Sequence, residues 1–367
     1  MDERRRFVIQ QHDATRLHWD LRLEHDGVLR SWALPRGVPW NPAENRLAVA
    51  TEDHSLDFLD IDEERGRDDA DPGYGRGRLT NWDRGTYEIH KWEDEKVVIT
   101  LEGRRATGKY ALFSMRGSRD WLIHRMDPPI DADRQPVPTG PEPMTATATT
   151  RDEIEALVAE PDGWAFESAW PGLRVIVTVD HGRVTIDGHP TGGPRGGDAS
   201  PGRDDLTMRF PEIRRIGRAI GHRELILDGT IVPVASSHDP FGGDDGRGPD
   251  LDDLRSDRSG LARRLRIRSD SGARNAAAGT APTVLLTSDL LWADGRSVTD
   301  LPWELRRRQL DDLRLDGPAW IAAPLLTPDD AAFALDDATS LVAKRTDSPY
   351  RPGEQTPDWL TADALDT

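Results

Sequence analysis

At 367 residues, with a net charge of −18 and no cysteine, the chain has room for two domains with their own cores and excludes disulfide, thiolate-metal and cysteine-nucleophile chemistry. It holds no apolar run near the ~20 residues that span a bilayer and no N-terminal apolar segment of the secretory kind, which predicts a cytoplasmic protein. The acidic balance argues against broad duplex binding by phosphate neutralisation, although residues 1–130 carry 21 basic and 25 acidic side chains, so most of the excess lies C-terminally.

The first informative segment is Phe7 to Glu24, FVIQQHDATRLHWDLRLE. Its second half alternates with period two, which predicts a β-strand with Leu17, Trp19, Leu21 and Leu23 on one face. His18, Asp20, Arg22 and Glu24 occupy the other, and His12 arrives from just upstream. Two imidazoles and a carboxylate are a donor set for a divalent metal, and a neighbouring arginine suits a phosphate oxygen. In RLAVATEDH the same period predicts Arg46, Glu52 and His54 on one face. The combined set is His12, His18 and Asp20 for metal, Arg22, Arg46 and His54 for phosphate, and Glu52 in support. Taken singly, each stripe reads more simply as the solvated face of an antiparallel sheet. Two histidine-bearing stripes in a chain with ten His narrow that gap.

The blocks FVIQQHDATRLHWDLRLEHDGVLRSWALPRG, RLAVATEDHSLDF, YGRG, NWDRGTYE and GKYALFSMRG…WLIHR, from about Phe7 to Arg125, resemble the 3′-phosphoesterase domain of bacterial DNA ligase D. The resemblance implies a small β-barrel flanked by short helices. It implies a bacterial enzyme of non-homologous end joining, acting at DNA breaks on the nucleoid. The reaction would use manganese, with zinc or cobalt also compatible, to remove 3′-phosphates and 3′-ribonucleosides from primer ends. Carried over by motif, His12, His18 and Asp20 bind the metal, and Arg22, Arg46 and His54 contact the phosphate beside Glu52. His54, if protonated, would act as general acid. Arg16 and Arg36 are further candidates for phosphate or DNA binding. An end-joining ligase, a polymerase or an end-binding protein would be the partner, and no membrane is involved. Three departures stand out: Leu34-Pro35-Arg36-Gly37 replaces Val-Pro-Lys-Gly, Phe58 replaces a tyrosine, and the loop from Asp60 to Tyr74 is longer and more acidic.

Asp127 to Thr150 is Pro-rich and predicts an extended linker, giving domains at 1–126 and 150–367 joined by 127–149. The blocks GWAFESAWPGLR, ELILDGTIV, SDLLWADG and LVAKRTDSPYRPGEQTPDWL resemble the adenylation domain of ATP-dependent DNA ligases of the ligase D type, from Pro143 to about Leu360. The fold implied is mixed α/β in two domains, the second an α+β nucleotidyltransferase lacking the OB domain. Most ligase chemistry is replaced. Ala169 stands for the nucleophilic lysine, Pro171 for the aspartate of the same motif, Thr230 for a glutamate and Ser288 for an adenine-stacking aromatic. Thr339-Ser340 replaces Glu-Gly, and Thr361 and Asp363 replace two lysines. Alanine has no amine to attack the α-phosphate, so ATP is not expected as a substrate and this half reads as a pseudo-ligase. Trp164, Arg174, Asp228, Gly229 and Lys344 are retained, and Arg174 and Lys344 could hold a phosphate without chemistry.

Ser236–Asp250 and Ser269–Thr280 read as mobile loops, with helix-like spacing at Leu251–Leu254 and Leu261–Leu265 between them. The charge run Arg263–Arg268 reads as a solvated helix face rather than a nucleic-acid contact. Pro302–Leu313 predicts an amphipathic helix that serves as core packing. Of the twelve Trp, Trp19, Trp32, Trp82, Trp121 and Trp164 fit core positions, and Trp40 and Trp92 are candidates for base stacking. Two functions compete: an end-healing phosphoesterase with a non-catalytic ligase-like domain, and an accessory scaffold with both domains inactive. Ala169 argues against a third, an active ligase.

Overall fold

The computed structural model describes residues 5–13, 17–60, 78–115, 119–189, 204–221, 223–235, 237–241, 249, 254, 259–336 and 340–362. Arg16, Thr339, Asp363 and nearly all of the Asp60–Tyr74 loop lie outside them, as does most of Ser236–Asp250. The chain divides into two compact units, with the main boundary between Arg134 and Gln135.

The first unit is a closed antiparallel barrel. Its strands are β1 (Arg5–Asp13), β2 (Leu17–His25), β3 (Val28–Leu34), β4 (Asn45–Ala50), β5 (Arg78–Glu93), β6 (Lys96–Gly103), β7 (Thr107–Ser114) and β8 (Asp120–Arg125), in the order β1-β2-β3-β4-β8-β7-β6-β5. The period-two pattern turns Phe7, Ile9, Trp19, Leu21, Leu23, Ile99, Leu101, Leu112 and Ile123 into one interior cluster. Eight strands leave an interior that side chains just fill. Asp26 and Gly27 both take positive φ, 50° and 81°, in the two-residue turn between β2 and β3, which matches the twist of a tight hairpin. Asp83, from NWDRG, points inward and accepts from the backbone N–H groups of Arg104, Arg105 and Ala106, fixing the β6–β7 turn. Gly85 follows because a Cβ there would lie 2.2 Å from the Glu102 carbonyl oxygen.

Outside the barrel, a 3-10 turn at Leu56–Asp60 places Phe58 and Leu59 against Val8 and Leu29. This small second core covers part of the outer face of β1 and β3. Gln10 and Ser31, on the same two strands, are buried.

The second unit contains two sheets. One has five strands in the order Leu325–Leu326, Trp164–Ser168, Leu341–Arg345, Gln355–Ala362 and Thr145–Ala148. The other centres on Leu173–Asp180, Glu224–Pro233 and Thr283–Ala293, of which the last two are buried along almost their whole length. Helices Arg151–Ala159 and Pro328–Asp336 cover the first sheet through Ile154, Val158, Ala331 and Leu335. The first of these starts at a capping box formed by Thr150 and Glu153. The architecture is mixed α/β, as the sequence predicts. Among the described residues no helix is long and apolar enough to cross a membrane.

Several sequence expectations change. The Pro-rich linker is not a free tether: Thr145–Ala148 pairs in parallel with Gln355–Ala362, and Met144 is buried with Ile176, Ile226 and Trp359. Residues 135–149 therefore belong to the second unit. Ser269–Thr280 is helical rather than a loop, with Ala273, Ala276 and Ala277 buried. Leu261–Leu265 is helical as expected, within Ser259–Leu265; Leu251–Asp253 lie outside the described residues, and Leu254 forms an extended bridge with Val234. Arg264 is wholly buried and paired with Glu212 at 2.8 Å, so the Arg263–Arg268 run is not one solvated face. The helix at Trp303–Asp312 does serve the core, and it carries Arg306 into a bidentate bond with buried Asp289. Trp40 is buried under the Arg134 guanidinium, and Trp92 stacks on His25 at 3.8 Å. Trp40 is therefore a packing residue, whereas Trp92 is only partly buried.

Candidate functional site

β1 and β2 pair so that His12 lies opposite His18 and Gln10 opposite Asp20. All four project from the outer face, because Ile9, Trp19 and Leu21 take the interior. His12 Nδ1 lies 3.6 Å from Asp20 Oδ2, and His18 Nε2 lies 3.5 Å from Asp20 Oδ1. The two rings meet edge to face at 4.8 Å. One ligand atom from each of the three residues falls within 4.8 Å of the others. A cation held at about 2.1 Å by nitrogen and oxygen ligands spaces them roughly 3 to 3.5 Å apart, so the trio could hold a divalent metal once its side chains close on the ion.

Arg22 anchors the carboxylate from below. Its Nη2 donates to Asp20 Oδ2 at 2.9 Å, its Nη1 to Ser31 Oγ at 3.2 Å and its Nε to Gln10 Oε1 at 3.0 Å. The guanidinium lies 4.8 Å from the centre of the Phe58 ring. Burial grades along the stripe: Gln10, Asp20 and Arg22 are nearly inaccessible, whereas His12 and His18 keep contact with solvent. Burial alone would raise the Asp20 pKa. Hydrogen bonds from His12 and His18 and the charge of Arg22 outweigh it and hold the carboxyl well below the usual carboxylate range. Asp20 is therefore anionic and ready for a cation.

His54 reaches this site by a different route from the one its spacing suggests. β4 ends at Ala50, and residues 51–53 leave the sheet, with Glu52 exposed in that segment. His54 then forms an antiparallel bridge with Leu29 on β3 and sets its ring against Phe58 at 4.8 Å. Burial, and after it the charge of Arg22, lowers the His54 pKa; Asp20 opposes the shift. The neutral ring is the favoured form, which weakens the assignment of His54 as a protonated general acid.

Arg46 does not join the stripe. It shares the interior face of β4 with Ala48, is almost fully buried, and donates to Glu44 and to the carbonyl oxygens of Arg36 and Val38. The alternation that grouped it with Glu52 and His54 stops where the strand stops. Arg36 is exposed in the turn after β3. Gln10 is the residue that the sequence reading missed, although it shares strand parity with His12.

Residues 10–114 match the family of the DNA ligase D 3′-phosphoesterase domain. The chain resembles DNA ligase D in both of its units. It is 32% identical, over 97% of its length, to the multifunctional non-homologous end joining protein LigD of Mycolicibacterium smegmatis and covers 41% of that protein. With the LigD of Pseudomonas aeruginosa the figures are 26%, 97% and 43%. The chain thus spans about two fifths of the length of these relatives. Among solved structures, mycobacterial DNA ligase D complexed with ATP and MES aligns at 25% identity over 61% of this chain and 60% of that one, with a TM-score of 0.42.

In the ligase-like second unit, the retained cations face carboxylates. Lys344 donates to both oxygens of Glu167 at 2.8 Å and lies 4.4 Å from the Trp359 ring centre. Arg174 makes a bidentate bond to Asp228 at 2.6 Å, which raises its pKa against the desolvation that would lower it. Tyr350 donates to the same Asp228 and accepts from the Met144 N–H. Thr230 lies opposite Arg174 in the sheet, and the hydroxyl of Ser288 donates to the Asp228 carbonyl, at 3.4 Å. Ala169 follows the strand Trp164–Ser168 and donates its N–H to Ser340, Pro171 is partly buried in the next turn, and Thr361 bonds the Leu341 carbonyl.

Proposed function

We propose that the barrel is a manganese-dependent phosphoesterase of DNA 3′ ends, removing 3′-phosphate and 3′-ribonucleoside groups in non-homologous end joining. The observation that carries this reading is the convergence of His12, His18 and Asp20 at metal-ligand spacing above a buried arginine. A bound cation would act as a Lewis acid toward a phosphate oxygen and leave positions for substrate and water. Asp20 supplies the negative charge, His12 and His18 supply neutral nitrogen, and Arg22 fixes the carboxylate while adding positive potential. His54, as the neutral ring, suits hydrogen bonding to a substrate oxygen better than proton donation at pH 7. Zinc or cobalt also satisfies this donor set.

The ligase-like unit, with Ala169 at the nucleophile position, serves to position or recruit rather than to seal. DNA 3′ ends are the substrate, and an end-joining ligase, polymerase or end-binding protein is the partner class.

A gel assay on a primer–template bearing a 3′-phosphate or one 3′-ribonucleotide tests this directly. Trimming should require manganese, stop in EDTA, and be lost in His12→Ala and His54→Ala. His12→Ala should also lose manganese binding, whereas His54→Ala should retain it. No trimming by the wild type with any of the three metals overturns the enzyme reading and favours the scaffold.

A further inference from the structure

β1 and β5 pair in regular register from Phe7 opposite Gly85 to Ile9 opposite Asp83, then slip by one, so that Gln10 faces Asn81. Trp82 is the extra residue of this β-bulge. A bulge reverses which parity of its strand faces outward: Asp83 caps a turn from inside, while Asn81 meets Gln10 on the outer face. Without the slip, an indole would stand opposite Gln10.

The consequence is a fixed carboxamide. Gln10 Nε2 donates to the Phe58 carbonyl at 3.1 Å and to Asn81 Oδ1 at 3.2 Å. Both amide protons are then engaged, and a flip would set Oε1 against two oxygens. Oε1 must therefore face Arg22, whose Nε donates to it. The guanidinium is planar and rigid, so holding Nε also aims Nη2 at Asp20.

We propose that Asn81 is a positioning residue for the candidate metal site, acting through Gln10 and Arg22 to set the orientation of the Asp20 carboxylate. The inference rests on the metal reading of His12, His18 and Asp20. It assigns a role in the site to a third strand, and it gives the bulge at Trp82 a function.

The test is direct manganese binding by the full chain, followed by electron paramagnetic resonance, for wild type, Asn81→Leu, Gln10→Met and the double variant. Metal-free denaturation is measured alongside. Losing one hydrogen bond of the chain should weaken manganese binding about fivefold in Asn81→Leu, and at least as much in Gln10→Met. The double variant should match Gln10→Met alone, because Asn81 reaches Arg22 through Gln10. Asn81→Val, suited to a strand, replaces the leucine variant if that one does not fold. Unchanged manganese affinity in the Asn81 variant overturns the inference, with or without lost stability, and so do independent, multiplying losses in the double variant. A wild-type protein that binds no manganese overturns the metal reading itself and this inference with it.

Discussion

Arg22 donates from Nη2 to Oδ2 of Asp20 at 2.9 Å, and both side chains are nearly lost to solvent. Removing one partner of such a pair leaves the other charge uncompensated. Arg22→Met should therefore destabilise the metal-free barrel by about 3 kcal/mol. Manganese should return part of that loss, because a cation on His12, His18 and Asp20 also neutralises the carboxylate. Arg22→Lys should behave like the methionine variant, since an ammonium cannot hold Gln10, Ser31 and Asp20 in one plane. Urea denaturation with and without manganese measures both effects. Wild-type stability in Arg22→Met would show that the pair does not anchor the wall.

Phe58 touches both Arg22 and His54, each at 4.8 Å from its ring centre, while its carbonyl holds Gln10. The ring also belongs to the small core with Val8, Leu29 and Leu59. Phe58→Ala should cost about 3 kcal/mol of barrel stability and release His54 from its place over the site. The expected signature is loss of trimming with the interior cluster intact. That pattern separates it from a variant such as Leu21→Ala, which empties the interior itself. A Phe58→Ala protein that trims at the wild-type rate would remove the ring from the site.

The stripe on β2 was legible because one strand keeps one period from Leu17 to Glu24, with its apolar residues inside a closed barrel. Arg46 was misread because that period was continued through residues 51–53, where the chain leaves the sheet, and His54 returns only by its bridge to Leu29. Gln10 carried a readable signal, its shared parity with His12. Asn81 carried none, since the bulge at Trp82 reverses the parity of β5. The buried arginines were hidden for another reason. Arg264 and Arg306 find carboxylates 52 and 17 residues away, and local charge patterning cannot show such partners. The Pro-rich stretch was correctly extended, but its pairing strand lies more than two hundred residues later.

The two titrating groups of the site make separable pH predictions. The Asp20 pKa is lowered in the folded state, so the stability it contributes is present above the unfolded carboxylate pKa. That stability is lost as pH falls through the folded value. The metal-free wild type should therefore weaken below about pH 4 more steeply than Asp20→Asn. The His54 pKa is also lowered, from an ordinary 6.5. As pH falls below that value the unfolded chain takes up a proton first, and stability should begin to decline. An NMR titration of the His54 ring should give a midpoint below 6.5. A midpoint at or above it would restore His54 as a candidate general acid near neutral pH.

The ligase-like unit offers the last prediction, because its retained cations are already engaged. Binding the phosphates of ATP would require Lys344 to leave Glu167 or Arg174 to leave Asp228, and either step strands a buried carboxylate. Incubation with α-labelled ATP should leave no covalent adenylate. Millimolar ATP should leave the thermal transition of this unit unmoved, because a ligand that bound only the folded state would raise it. Glu167→Gln should destabilise the unit by about 3 to 5 kcal/mol by leaving Lys344 unpaired, and adding Lys344→Met should recover much of that loss. These charges would then be part of the unit's scaffold. An adenylate mapped to Lys344 would make it a nucleophile despite Ala169 and overturn the pseudo-ligase reading. A raised transition without an adduct would leave the unit a nucleotide sensor, and the Glu167–Lys344 pair the contact that the nucleotide displaces.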